Sequence, residues 1–271
     1  MIFINGKIAD ENKGPVNPLS EAFLYGFGLF ETVKVLDGKM IFLKEHLERL
    51  KKGSSVLKLE FIYKEDDIEE YCYDIINRDS LINGAIRISY SKNINDYYLL
   101  ISTRENNYKK ETYKKGFKLC FSTIKRNPYS PLVYVKSNNY LENILARRKA
   151  VEHGFDEAVF VNIFNKVCEG SISNIFFIKD KIIYTPDTNC GILSGILRKQ
   201  VINLIDNLNI KICTGEYESN DLYKADEIFI TNSLMDIMPV CQLEDKKFNM
   251  KTNTITRLLI KELKYKIILN D

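Results

Sequence analysis

Two prolines within four residues, Pro128 and Pro131, interrupt the middle of the chain in the stretch Lys125-Arg126-Asn127-Pro128-Tyr129-Ser130-Pro131. Proline has no N–H to donate and its ring fixes φ, so this segment can continue neither a helix nor a central strand. It predicts an interdomain linker over 124–137, separating an N-terminal domain at 1–123 from a C-terminal domain at 138–271. A chain of 271 residues with 45% hydrophobic and 28% charged residues has enough apolar material for two such cores, and is not a disordered tail. The balance of 39 Lys and Arg against 36 Asp and Glu leaves a net charge of +3, too small to argue for a nucleic-acid partner. The six cysteines are scattered without metal or redox spacing and read as reduced core residues, and no metal-ligand cluster stands out. Only four apolar residues precede Asn5-Gly6, and no later apolar run is long enough to span a bilayer, so a soluble, cytoplasmic protein is expected, with no membrane partner.

Asn5-Gly6 lies between Phe3-Ile4 and Lys7-Ile8-Ala9, and Asp37-Gly38 joins Phe30–Leu36 to Lys39–Phe42. Both pairs suit a turn that needs positive φ, so two β-hairpins are predicted, joined by a loop that contains Gly26 and Gly28. Helical spacing follows at Leu47, Leu50 and Val56, and again at Ile68, Cys72, Ile75 and Ile76. Strands are expected at 85–90, 97–103 and 117–123, completing a sheet with helices packed on it. Beyond the linker come a helix near 138–153, strands at 157–161, 173–178 and 181–185, a helix near 195–208, and a terminal helix near 254–266.

Several short patterns could carry chemistry, although each alone has an ordinary structural explanation. Lys136 ends the apolar run Val133-Tyr134-Val135, read as a short strand, where partial desolvation would favour a neutral, nucleophilic amine. Glu169-Gly170-Ser171-Ile172-Ser173-Asn174 places a carboxylate beside a glycine and small polar residues. Leu193-Ser194-Gly195-Ile196-Leu197-Arg198 leads a glycine into a helix, whose free amides favour a phosphate. Thr231-Asn232-Ser233 sets hydroxyls at a strand end. Arg49, in His46-Leu47-Glu48-Arg49-Leu50, defaults to a surface ion pair, and His46 is as suited to the helix surface as to a function.

In order and spacing, Tyr25-Gly26-Phe27-Gly28-Leu29-Phe30-Glu31, His46-Leu47-Glu48-Arg49-Leu50, Lys136, Glu169-Gly170-Ser171 and Gly195-Ile196 resemble the fold-type IV pyridoxal phosphate enzymes along nearly the whole chain. That family holds branched-chain and D-amino-acid aminotransferases and 4-amino-4-deoxychorismate lyases. The resemblance implies an α/β (α+β) two-domain fold, with a small N-terminal α/β lobe and a larger C-terminal lobe built on a sheet or barrel-like core. It implies pyridoxal 5'-phosphate as cofactor, a small-molecule substrate and a homodimer. Lys136 matches the lysine that holds the cofactor and moves the proton, and Glu169 the carboxylate that keeps the pyridine nitrogen protonated. Arg49, Ser233 and the backbone amides of Ile196 and Leu197 match phosphate ligands. Leu193 matches the side chain under the ring, and Tyr140 the phenol near the cofactor's hydroxyl. Many relatives have threonine where this chain has Leu197.

Within the family, Phe30-Glu31-Thr32 looks like the lyase version of this strand, with Thr32 at the reacting centre. Arg126-Asn127-Pro128 and the run from Asn232 to Val240 are also similar to the lyases. The expected activity is therefore conversion of 4-amino-4-deoxychorismate to 4-aminobenzoate and pyruvate. Phe30, Arg87 and Lys92 are the expected substrate contacts, the two cations answering its two carboxylates. The alternatives are an aminotransferase acting on D- or branched-chain amino acids with 2-oxoglutarate, and a non-catalytic binding protein on the same fold.

Overall fold

The computed structural model describes residues 1–10, 12, 14 and 16–269. They form two compact units, Met1–Asn107 with Val135–Tyr140, and Tyr108–Tyr134 with Leu141–Asp271.

In the first unit, β1 (Ile2–Ile4) and β2 (Lys7–Ala9) form the opening hairpin, with Asn5 and Gly6 at φ 47° and 84° as the turn requires. The loop expected next contains a short helix, α1 (Glu21–Tyr25), begun by the Ser20 side chain accepting from Phe23 N–H and ended by left-handed Gly26. The second hairpin is β3 (Gly28–Leu36) and β4 (Lys39–Met40). Ile41 and Phe42, expected in its second strand, instead turn the chain into α2 (Leu43–Val56), Phe42 adopting φ 57°. Then come α3 (Glu65–Arg78), β5 (Gly84–Lys92) and β6 (Tyr97–Arg104). The sheet runs β2-β1-β6-β5-β3-β4, antiparallel throughout. Its inner face, Val33, Val35, Ile86, Ile88, Leu99 and Ile101, packs on Leu47 and Leu50 of α2 and Ile68, Cys72 and Ile75 of α3.

The second unit opens with α4 (Lys110–Lys115) and β7 (Phe117–Phe121). After the proline segment it continues with α5 (Leu141–Glu152), β8 (Glu157–Val161), β9 (Val167–Gly170), β10 (Asn174–Lys179) and β11 (Ile182–Pro186). The rest is α6 (Ile196–Asn207), β12 (Ile212–Gly215), α7 (Ser219–Tyr223), β13 (Glu227–Asn232), β14 (Asp236–Leu243), β15 (Lys246–Lys247) and α8 (Thr254–Leu269). The sheet order is β12-β11-β10-β13-β14-β7-β8-β9, with β15 on β14. β9 ends the order, yet three residues carry it into β10, third from the other end, so the sheet must curl back on itself into a half-barrel. The fold is therefore the mixed α/β class with a barrel-like second core.

Two expectations shift. β7, expected to close the first lobe near residue 123, pairs with β8 and β14 in the second sheet, so the units divide after Asn107. The proline segment is also not a simple link. Arg126 bridges Asn162 in the second unit, whereas Leu29 bridges Ser137, returning Val135–Tyr140 to the first. The strand expected at Val133-Tyr134-Val135 is a 3-10 turn over Pro131–Tyr134, with proline at its first position, where a missing N–H costs nothing. Among the described residues all six cysteines are unpaired, and no helix is long and apolar enough to cross a membrane.

Candidate active site

Alternation along β3 sends Leu29, Val33 and Val35 into the core and Phe30 and Thr32 to the other face. There Thr32 stands opposite Arg87 and Phe30 opposite Ser89 on β5. The Arg87 guanidinium lies 4.0 Å from the Phe30 ring centre and its Nε donates to Ser89 Oγ at 3.3 Å. Burial pulls its pKa down from the usual value, and the neighbouring Arg104 charge adds to that pull. Residues 136–138 run beside β3 where β4 does not reach: Phe30 N–H donates to Lys136 C=O at 2.9 Å and Asn138 N–H to Gly28 C=O at 2.8 Å. This backbone register sets Lys136 Nζ 4.5 Å over the Phe30 ring, and Tyr140 meets the same ring edge-on at 5.3 Å. Phe30, Thr32, Arg87, Lys136 and Tyr140 thus form one group. Lys92 does not join it: it falls in the same alternation as the core residues Ile86, Ile88 and Tyr90 of β5, and its ammonium lies 4.5 Å over Tyr97.

On the inner face, Glu31 is 1% exposed and directed at α2. Arg49 donates to it twice, and His46 Nδ1 lies 2.7 Å from Oε2. Burial alone would raise the Glu31 pKa, but the Arg49 charge and the bonds from Arg49 and His46 overcome it and hold the carboxyl at about 2. Burial depresses His46, with the charges of Arg49 and Lys136 pushing the same way against Glu31. Arg49 and His46 are therefore not helix-surface groups. A charge at position 31 in the apolar alternation Leu29, Val33, Val35 was the sequence signal for a buried cation, one that single-residue reasoning on α2 missed.

In the second unit Glu169, the penultimate residue of β9, is almost fully buried. Its Oε2 accepts from Leu193 N–H at 3.0 Å and from Asn174 Nδ2 at 3.2 Å, while Arg126 lies 3.7 Å from Oε1. Asn174 also donates to Leu193 C=O at 3.0 Å, tying β10 to the loop before α6. Gly195 begins α6 without a side-chain cap, leaving the first-turn amides, those of Ile196 and Leu197 among them, without intrahelical partners. A Cβ on Gly195 would stand 1.9 Å from Asn174 Oδ1, so only glycine fits this close approach. Asn232 accepts from Leu234 and Met235 N–H and fixes the turn that carries Ser233. Beside it on β13 the buried Thr231 hydroxyl has no hydrogen-bond partner. Sequence reasoning gave no role to Asn174 or Arg126, because their partners lie many residues away or across strands.

A family model described as amino-transferase class IV matches residues 28–243. The chain belongs to the class IV aminotransferase family. It is 30% identical over 285 residues to the aminodeoxychorismate lyase of Bacillus subtilis (strain 168), covering 98% of this chain and 94% of the relative. It is also 26% identical over 275 residues to a D-alanine aminotransferase of Staphylococcus epidermidis, covering 95% and 94%. Among solved structures, a T.th. branched-chain amino acid aminotransferase complexed with N-(5'-phosphopyridoxyl)-L-glutamate superposes with a TM-score of 0.87 at 26% identity, covering 96% of this chain and 91% of that one. Class IV aminotransferases are pyridoxal 5'-phosphate enzymes, and so is this protein. Its residues fit that cofactor's chemistry. An aldehyde calls for a primary amine, a pyridine nitrogen for a carboxylate, and a phosphate for a cation and free amides, and Lys136, Glu169, Arg49 and the uncapped start of α6 are groups of those kinds.

Proposed function

We propose that this protein is an aminodeoxychorismate lyase, converting 4-amino-4-deoxychorismate to 4-aminobenzoate and pyruvate in folate biosynthesis, and that it acts in the cytoplasm. The observation that carries the reading is Thr32 opposite Arg87 on the face where Lys136 lies over Phe30. A hydroxyl able to relay a proton and a cation able to hold a carboxylate thus stand beside the amine expected to do the chemistry. The lyase relative spanning nearly the whole chain supports it.

In this reading Lys136 binds the cofactor and Glu169 faces its ring nitrogen. Arg49, Ser233 and the amides of Ile196 and Leu197 would hold its phosphate, with Leu193 contacting its ring and Tyr140 its hydroxyl. When bound, pyridoxal 5'-phosphate supplies an electron sink for the amine-bearing carbon. The Lys136 amine would be the base that takes the proton from that carbon. The bond from the ring to the enolpyruvyl oxygen then breaks, the ring becomes aromatic, and the leaving group gains a proton at its methylene carbon to become pyruvate. Thr32 assists that protonation, and Arg87 binds a substrate carboxylate against Phe30. Lys92, on the other alternation of β5, holds no part in the proposal.

The D-alanine aminotransferase relative supports the second reading, amino-group transfer to 2-oxoglutarate by the same Lys136 and Glu169. Incubation with 4-amino-4-deoxychorismate, scored for 4-aminobenzoate, against a D- and branched-chain amino-acid panel with 2-oxoglutarate, scored for 2-oxo acid, separates the two. We also propose a homodimer. Leu141, Ile144 and Leu145 of α5 are exposed at helical spacing, an apolar face that a second copy would cover. Sedimentation at about twice the chain mass is expected, and a monomer would contradict it.

A further inference from the structure

Glu157 opens β8 with none of its surface exposed, and nothing in the proposed chemistry uses it. A buried carboxylate is costly unless donors surround it. Here five groups converge. Oε1 accepts from Ala158 N–H at 3.0 Å, from Ser171 N–H at 2.9 Å and from the Ser171 hydroxyl, and Oε2 accepts from Ile172 N–H at 3.3 Å and Ser173 Oγ at 3.1 Å. Four of the five come from the turn that joins β9 to β10. That turn is flanked by Gly170, next to Glu169 in β9, and by Asn174, which donates to Glu169. The carboxylate also stands against the backbone next to Glu169: a Cβ on Gly170 would lie 3.1 Å from Glu157 Cδ. Burial pushes the Glu157 carboxyl upward from its ordinary value, while the bonds from Ser171 and Ala158 and the Arg147 charge oppose that push.

We infer that Glu157 is a positioning residue, which clamps the Ser171–Ser173 turn from behind and so fixes the Glu169 carboxylate and its Asn174 support toward the group they bind. This rests on the proposed pairing of Glu169 with the cofactor's ring nitrogen. A carboxylate suits the task because both its oxygens only accept. The serine hydroxyls could turn to accept from a substituted amide, but the backbone N–H groups of Ser171 and Ile172 cannot reverse. Glu157→Gln keeps the shape and forces an NH2 group against at least one of these fixed donors or its serine partner.

The test has two measurements on Glu157→Gln, Glu169→Gln and the double variant. The first is amide hydrogen exchange in the cofactor-free protein. With the circular dichroism of wild type retained, Ser171 or Ile172, whichever faces the amide NH2, is expected to exchange about tenfold faster in Glu157→Gln, the loss expected when a buried N–H is left without its acceptor. The second uses protein loaded with ring-15N pyridoxal 5'-phosphate, reading the nitrogen signal and the cofactor dissociation constant. Glu169→Gln should lose the protonated-nitrogen signal. Glu157→Gln should shift the signal partway and weaken binding about tenfold. In the Glu169→Gln background it should add less than twofold, since it acts through Glu169. A Glu157→Gln protein with wild-type exchange, signal and affinity overturns the proposal, as do effects that multiply in the double variant. If Glu169→Gln itself leaves the nitrogen signal unchanged, the pairing of Glu169 with the ring fails and the inference falls with it, while the exchange result still reports whether Glu157 holds the turn. Should Glu157→Gln fail to fold, Ser173→Ala removes one donor only. About threefold weaker cofactor binding then supports the proposal, and unchanged binding and signal overturn it.

Discussion

Arg49 grips the Glu31 carboxylate with two of its nitrogens, Nε at 2.8 Å from Oε1 and a terminal nitrogen at 2.6 Å from Oε2, and the carboxylate is held on its other flank by His46. A planar guanidinium bound in this fork cannot swing freely, so Glu31 fixes where the rest of Arg49 points. In the proposed function that direction is toward the cofactor phosphate.

The pair also makes the first unit acid-sensitive. Glu31 sits at about 2 in the folded protein against an ordinary 4.5, so folding favours its ionised form. Its contribution, on the order of 3 kcal/mol, is complete above the ordinary value and lost as pH falls toward the folded one. His46, depressed by burial, adds a loss of the same sign as pH falls below its ordinary value of 6.5. Urea unfolding of Glu31→Gln should show a protein about 3 kcal/mol less stable at neutral pH, because the Arg49 charge is left poorly paired. Its stability should no longer fall between about pH 4.5 and 2 through this group. A variant with the wild-type acid profile would contradict the assignment.

Gly195→Ala would set a methyl group 1.9 Å from Asn174 Oδ1, and Asn174 carries both Glu169 and the Leu193 carbonyl. The clash falls at the uncapped start of α6, so cofactor affinity is expected to drop by about tenfold or more, with the rest of the fold retained. Spectrophotometric titration with pyridoxal 5'-phosphate checks it.

Thr32 and Arg87 should separate in steady-state kinetics with 4-amino-4-deoxychorismate. Thr32→Val removes a hydroxyl placed for proton transfer and should lower kcat by roughly a hundredfold, leaving cofactor binding unchanged. Arg87→Met removes a carboxylate partner and should raise KM at least about tenfold. Equal effects of both on cofactor affinity would place them at the wrong end of the site.

Lys136→Ala protein should stay colourless after pyridoxal 5'-phosphate is added. Wild type should absorb in the visible and, after borohydride treatment, carry the cofactor's mass on the peptide that contains Lys136.

Much of this was legible from order and spacing. Asn5-Gly6 and Asp37-Gly38 announce their turns because few residue pairs accept positive φ, and the residues of α2 and α3 repeat at the helical period. The placement of β7 was not legible, since a strand's own residues do not say which sheet it joins. The residue roles divide the same way. Lys136 and Glu169 stand out through the family pattern, whereas Glu157, Asn174 and Arg126 act through partners that only the curled second sheet gathers. Lys92 illustrates the converse, a cation chosen for its charge that the period-two alternation of β5 sends elsewhere.

The central claim is tested most directly by one assay. Purified protein loaded with pyridoxal 5'-phosphate is given 4-amino-4-deoxychorismate, and 4-aminobenzoate and pyruvate are measured together. The proposed function requires the two products in equal amounts, and neither from Lys136→Ala. No 4-aminobenzoate from wild type, while the same preparation forms 2-oxo acids from D- or branched-chain amino acids and 2-oxoglutarate, would contradict the lyase and establish an aminotransferase.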